Sequence, residues 1–203
     1  MTDTTQQIRD RYLEHVAHYR SSGYDRPAAA RFVVDQLERF EGPVLDVGTG
    51  QGLMATELAR RGASIVSIDV NEEEQRVAMA NATYEGVAER VAFMTADAQH
   101  LPFLDGVFGT VATLDALHHL VDGPAVFSEL RRVVRPSGKV LLAELTPDGL
   151  ALVARMHASE GRVHPVGHVT IASAVDWFVS HGFRPVVQKD AQLHSVAVLE
   201  KLA

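Results

Sequence analysis

The chain has 203 residues, 46% hydrophobic and 22% charged, the balance of one folded domain and not of a disordered chain. Its 19 Lys and Arg against 26 Asp and Glu leave a net charge of −7, without the basic face that duplex nucleic acid or an anionic membrane selects. Zero cysteines exclude disulfides, thiolate metal sites and a Cys nucleophile. The first seven residues are polar and hold no apolar core, so no export signal is expected. Apolar runs such as residues 140–143 are cut by Glu144 and Asp148 long before the ~18 residues a bilayer span needs. A cytoplasmic chain without membrane insertion is expected, as a monomer or homodimer.

Residues 5–20 and 26–40 read as two helices, an N-terminal cap over residues 1–41. Gly42-Pro43 announces a strand at Val44–Val47, after which glycines lead into a helix over 52–61, stopped by Gly62. A strand over 64–69 follows; Asn71 with Glu74 resembles a capping box opening a helix to residue 85, stopped by Gly86. Strands are read at 91–96 and Phe108–Leu114, and Pro124 sits just inside a helix through 134. Pro136-Ser137-Gly138 turns into a strand over 139–144, and residues 145–169 are long enough to form a substrate lid. Thr170 caps a helix to 181, whose Trp177 and Phe178 belong to the core. Strands at 183–188 and 195–200 then pair antiparallel.

This alternation predicts one domain over 1–203. Its fold class is α/β: a three-layer, doubly wound, Rossmann-like sheet of about seven strands, mostly parallel with a C-terminal antiparallel hairpin. Ligands of such sheets sit at the carboxyl ends of the strands, where strand order reverses.

The strongest local signal lies at that end of the first strand: Asp46-Val47-Gly48-Thr49-Gly50-Gln51-Gly52. Closely spaced glycines let the backbone turn tightly and present N–H groups to a ligand at a helix N-terminus. Leu53 stands where a dinucleotide fingerprint needs glycine, which disfavours a nicotinamide dehydrogenase. Asp69 ends the second strand, where a carboxylate can take both hydroxyls of a ribose. Asp97 ends the third, where a carboxylate can accept an adenine amine while the Ala98 N–H faces a ring nitrogen. Each acid alone reads as readily as a turn or helix cap; the three in register are harder to obtain by accident.

With Ile68-Asp69, Asp97-Ala98-Gln99-His100-Leu101-Pro102-Phe103, Leu117-His118-His119-Leu120 and Leu130-Arg131-Arg132-Val133-Val134-Arg135-Pro136-Ser137-Gly138, the sequence resembles the class I S-adenosylmethionine-dependent methyltransferases. The likeness is strongest over residues 42–139 and nearest to the small-molecule, ubiquinone/menaquinone-biosynthesis branch. It implies S-adenosyl-L-methionine as cofactor, a small-molecule methyl acceptor and no metal. Gly48, Thr49, Gly50 and Gly52 would lie under the methionine portion, with Asp46 holding its amino end directly or through water. Asp69 would bind the ribose, Val70 would lie against adenine, Asp97 and Ala98 would read its edge, and Leu114 would offer its carbonyl to the ammonium. Two departures stand out: Gly109 where the family often has Asp, and Ser137 where a second Gly is common. Both read as structural.

In-line methyl transfer asks mainly for positioning and a dry cleft, plus a base near pKa 6–7 if the acceptor is weakly acidic. His119 is the preferred base, and His118, Asp115 and Glu144 also point toward the crevice; the alternative is that the His-His tetrad only shapes a loop. In the lid, His164 and His168 are substrate candidates. Pro165 and Gly167 between them argue against the helix that would let them, with His157, chelate a metal. Tyr12, Val16 and Tyr19 share one helical face, which either packs the cap as core or closes it over the cleft; Tyr19 and Tyr24 are the substrate-facing candidates. Arg9, Arg11 and Arg20 would attract an anionic substrate or stay solvated. Two other classes remain open: a macromolecular (RNA or protein) methyltransferase, and a non-catalytic S-adenosylmethionine-binding interaction protein. Against the first stands Val111-Ala112-Thr113-Leu114-Asp115-Ala116, which offers no amide to grip a flipped base.

Overall fold

The computed structural model describes residues 3–162 and 167–203. In chain order the elements are α1 (Thr5–Ser21), α2 (Arg26–Val34), β1 (Val44–Val47), α3 (Leu53–Arg60), β2 (Ile65–Asp69), α4 (Glu72–Tyr84), β3 (Val91–Thr95), β4 (Phe108–Leu114), α5 (Gly123–Val133), β5 (Val134–Leu145), α6 (Pro147–Ser159), α7 (Ile171–Ser180), β6 (Phe183–Ala191) and β7 (His194–Lys201). The sheet runs β3-β2-β1-β4-β5-β7-β6; the first five strands are parallel, and β7 pairs antiparallel with both β5 and β6. The chain order reverses between β1 and β4, which fixes the ligand crevice at their carboxyl ends.

Alternation along the buried strands divides the core between two faces. Leu45, Val47 and Val111 pack with Val126, Phe127 and Leu130 of α5 and Phe178 of α7. Val44, Ala112 and Leu141 pack on the other side with Val33 and Val34 of α2 and Met54 and Leu58 of α3. Phe178 is fully buried and Trp177 packs half-buried beside it, as core. A third cluster joins Tyr19, Tyr24 and Ala29 of the cap to Leu145 and to Val153 and Met156 of α6. The N-terminal cap and the segment read as a lid therefore meet over the carboxyl ends of the strands. Among the described residues no helix is long and apolar enough to cross a membrane.

Three elements differ from the sequence reading. α2 ends at Val34, not residue 40, because Gln36 and Leu37 donate to the Val33 and Val34 carbonyls in tighter turns that bury Leu37. β5 begins at Val134, and Pro136-Ser137-Gly138 lies inside it as an irregularity, with Ser137 at φ 57° and a register shift opposite Phe108 and Thr110. Most of the lid segment is the helix α6, capped by the Thr146 hydroxyl, which accepts from the Gly149 N–H, with Pro147 in its first turn. Gly109 has a steric reason: a Cβ there would fall 1.5 Å from the Glu41 carbonyl oxygen.

Candidate active site

A cavity of about 610 Å³ opens at the switch point, walled by the ends of β1, β2 and β4 and roofed by α1, α2 and α6. The glycine loop forms its floor. Gly48, Gly50 and Gly52 all hold left-handed φ, at 84°, 47° and 81°, where a side chain would be strained. Gly48, Thr49 and Gly50 line the cavity, whereas Gly52 faces away: a Cβ there would meet Ala78 of α4 at 2.8 Å. Its work is to let α4 approach the start of α3.

A buried polar chain fixes the loop from behind. The Thr49 hydroxyl lies 2.7 Å from that of Ser67, which donates at 2.7 Å to Asp46 Oδ2. Asp46 is fully buried behind the cavity wall, and its Oδ1 has no hydrogen-bond partner. Burial, only partly offset by Ser67 and reinforced by the Asp69 charge, pushes its carboxyl up from 3.8 to about 7. Asp69 accepts from the Gly50 N–H at 2.8 Å and the Asn71 N–H at 2.9 Å, tying the end of β2 to the loop. Val70, Asp97, Ala98 and Leu114 complete this wall, and the Asp97 carboxylate also accepts from the Gln99 N–H at 2.8 Å.

The other half of the cavity holds two histidine–carboxylate pairs. In a single helical turn at Leu117–His119, the buried His118 ring donates from Nδ1 to Glu144 Oε1 at 2.8 Å. Glu144, at the end of β5, also accepts from the His118 and Leu145 N–H groups at 3.1 and 2.8 Å, so donors hold its carboxylate on several sides. The carboxylate turns back beneath His118 and does not itself line the cavity, contrary to its sequence placement; His118 and His119 do line it. His119 is exposed, with its ring centroid 4.0 Å from that of His118, and partial desolvation, then His118, lower its pKa below the ordinary histidine range.

The second pair is Asp115 with His194. Asp115 adopts φ 55°, a strained conformation for a non-glycine residue. Its Oδ1 lies 2.8 Å from His194 Nε2, and its Oδ2 accepts from the Tyr24 hydroxyl at 3.1 Å. His194 Nδ1 faces the Gln192 carbonyl at 2.9 Å, so both ring nitrogens point at acceptors and the imidazole is held protonated. Burial opposes that charge, but Asp115 prevails and raises the His194 pKa; burial likewise would raise Asp115, yet His194 holds it below the usual range. Asp115 is thus neutralised by a buried partner and is unsuited to act as a free base. Tyr19 and Tyr24 both line the cavity, while His168 is exposed and outside it; His164 lies outside the described residues. Among the described residues no group of three or more His, Asp or Glu is arranged to hold a metal ion.

Residues 45–142 match the family described as a methyltransferase domain. Over this segment, just under half of its length, the chain resembles methyltransferases. It is 37% identical to methyltransferase GfsG of Streptomyces halstedii over 107 residues, 52% of this chain and 38% of that one. It is 31% identical over 160 residues to the 27-O-demethylrifamycin SV methyltransferase of Amycolatopsis mediterranei, 75% of this chain and 57% of that one. The chain thus spans about half the length of the curated relatives it matches. The fold overlays the [4+2]-cyclase SpnF with a TM-score of 0.70 at 17% identity, covering 87% and 82% of the two chains.

The residues of this cavity are compatible with S-adenosylmethionine, the cofactor that the resemblance implies. The orphaned, buried Asp46 Oδ1 lacks the donor that an ammonium group, or a water bridging to one, would bring, and the Asp69 and Asp97 carboxylates line the same cavity. Sequence reasoning missed His194, which lies on the C-terminal hairpin, and Arg26, His15 and Arg162 of the roof. Arg26 follows Asp25 at a helix start and reads locally as a solvated residue; only the chain's return over the cavity turns it inward.

Proposed function

We propose that this protein transfers a methyl group from S-adenosyl-L-methionine to a small organic acceptor, with His118 as the base. The observation that carries the reading is one chamber containing both the glycine-loop wall and the Glu144-held His118 ring. The roof of α1, α2 and α6 encloses that chamber, which favours a small acceptor over a macromolecule, as do the net charge of −7 and the relative that acts on 27-O-demethylrifamycin SV. When bound, the cofactor supplies an electrophilic sulfonium methyl. The glycine loop, Asp69 and Asp97 hold it, and the roof keeps water from the line of attack. With Nδ1 committed to Glu144, proton acceptance falls to Nε2. That nitrogen takes the proton from the acceptor atom as its bond to the methyl forms, and Glu144 stabilises the resulting imidazolium. His118 thereby replaces His119 as the preferred base, because Glu144 fixes its tautomer and ring.

Asp69→Ala tests the cofactor half. Losing charge-assisted hydrogen bonds of roughly 1.5–3 kcal/mol each should weaken S-adenosylhomocysteine binding at least ~10-fold by titration calorimetry. An unchanged affinity would remove Asp69 from the ribose.

A further inference from the structure

The cavity is divided by charge. Its floor and walls contribute the carboxylates of Asp69, Glu74, Asp97, Asp115 and Asp122, whereas the lining from α1, α2 and the α6 end contributes His15, Arg26, His157 and Arg162 and no carboxylate. Such a segregation runs against a chain with seven more acidic than basic residues.

Arg26 is the centre of this roof. Its Cζ sits 5.2 Å from the centroid of the Tyr19 ring, and its Nη1 donates to Gln51 Oε1 at 3.0 Å, with His15 Nδ1 3.4 Å away. These neighbours are neutral or weakly accepting, and among the described residues no carboxylate lies within ion-pair distance of Arg26. Arg162 pairs with Glu160, which is outside the cavity wall, and also bonds the Tyr19 side chain, which brings its guanidinium to the cavity lining. Glu74 and Asp115 act on Arg26 only from beyond ion-pair distance, so a ligand anion in direct contact would complete this half-buried guanidinium. The Tyr19 ring between the two arginines gives that ligand an apolar and aromatic surface.

Resting on the methyl-transfer reading, we propose that the roof is an anion-binding subsite and that the acceptor carries a carboxylate or phosphate group, docked by Arg26 and Arg162 across Tyr19. The acceptor's anionic end then anchors it away from the acidic cofactor wall and turns its nucleophilic atom toward His118. The cofactor's own carboxylate is the competing source of the same chemistry, because Gln51 brings Arg26 close to the glycine loop.

Calorimetry separates these sources. In wild type saturated with S-adenosylhomocysteine, 4-hydroxybenzoate or phenyl phosphate should bind at least tenfold more tightly than uncharged phenol. Whichever anion binds identifies the group. Arg26→Gln and Arg162→Gln should each remove at least a tenfold share of that preference, Arg26→Lys should restore part of it, and S-adenosylhomocysteine affinity should stay within twofold. If neither anion outbinds phenol, the acceptor proposal is overturned. It is equally overturned if Arg26→Gln weakens S-adenosylhomocysteine while leaving 5′-methylthioadenosine, which lacks the amino-acid end, unaffected; Arg26 then reads the cofactor. Loss of S-adenosylhomocysteine binding by the wild type would instead mark failure of the underlying cofactor reading.

Discussion

His118→Ala is expected to slow methyl transfer by about 10²–10⁴-fold, the range for removing a positioned base, while leaving S-adenosylhomocysteine affinity within a few-fold. The effect is large because the two neighbouring carboxylates are already engaged: Asp115 is paired to His194, and Glu144 is enclosed by donors. Glu144→Gln should give a smaller loss, since an amide oxygen can still accept from Nδ1 but no longer stabilises an imidazolium. His119→Ala should lose only a few-fold. Single-turnover transfer to any acceptor that the wild type methylates, followed over pH 6–9, provides the readout. A His118→Ala enzyme with full rate, or a His119→Ala enzyme as impaired as His118→Ala is expected to be, would contradict the assignment.

Asp46 should make both stability and cofactor binding depend on pH. In the unfolded chain its carboxyl ionises near 3.8, and in the native state near 7, so between these values the native state binds the extra proton. Raising the pH through this window therefore destabilises the ligand-free protein, by about 4 kcal/mol at most, and the effect is flat above it. Asp46→Asn removes the linkage: its stability relative to wild type should improve progressively from pH 4 to pH 8, less the cost of an amide N–H₂ lacking an acceptor where Oδ1 was. Urea denaturation at several pH values measures this. Binding should show the opposite preference. A cofactor ammonium needs the ionised carboxylate, so wild-type affinity for S-adenosylhomocysteine should fall by up to about tenfold per unit below pH 7. Asp46→Asn should bind weakly with a flat profile. A flat wild-type profile would detach Asp46 from the cofactor.

The parts of the site legible in the sequence are those fixed by a local motif on a strand end. Gly48, Gly50, Asp69, Asp97 and Leu114 each end or follow a parallel strand, and the sheet brings such ends together without further information. The doubly wound order and the closing hairpin were legible for the same reason, because each strand and its bounding glycines carry their own signals. The helix α6 inside residues 145–169 was not read from the sequence, although Thr146 and Pro147 are the cap and first-turn proline of a helix start. The choice between His118 and His119 was not local. It depends on which ring of one tight turn falls over Glu144, and therefore on the pairing of β4 with β5. The Asp115–His194–Tyr24 group joins three distant segments, and no spacing rule connects them. Gly52 shows the converse error: the motif implied a cofactor contact where the structure uses the glycine for helix packing.

The central claim is that this cavity is a S-adenosylmethionine site. The most direct test is titration calorimetry of the purified chain with S-adenosylhomocysteine, with NAD as the control ligand. One molecule of S-adenosylhomocysteine bound per chain, with no heat from NAD, is the predicted result. Absence of S-adenosylhomocysteine binding, or equal binding of NAD, would contradict it.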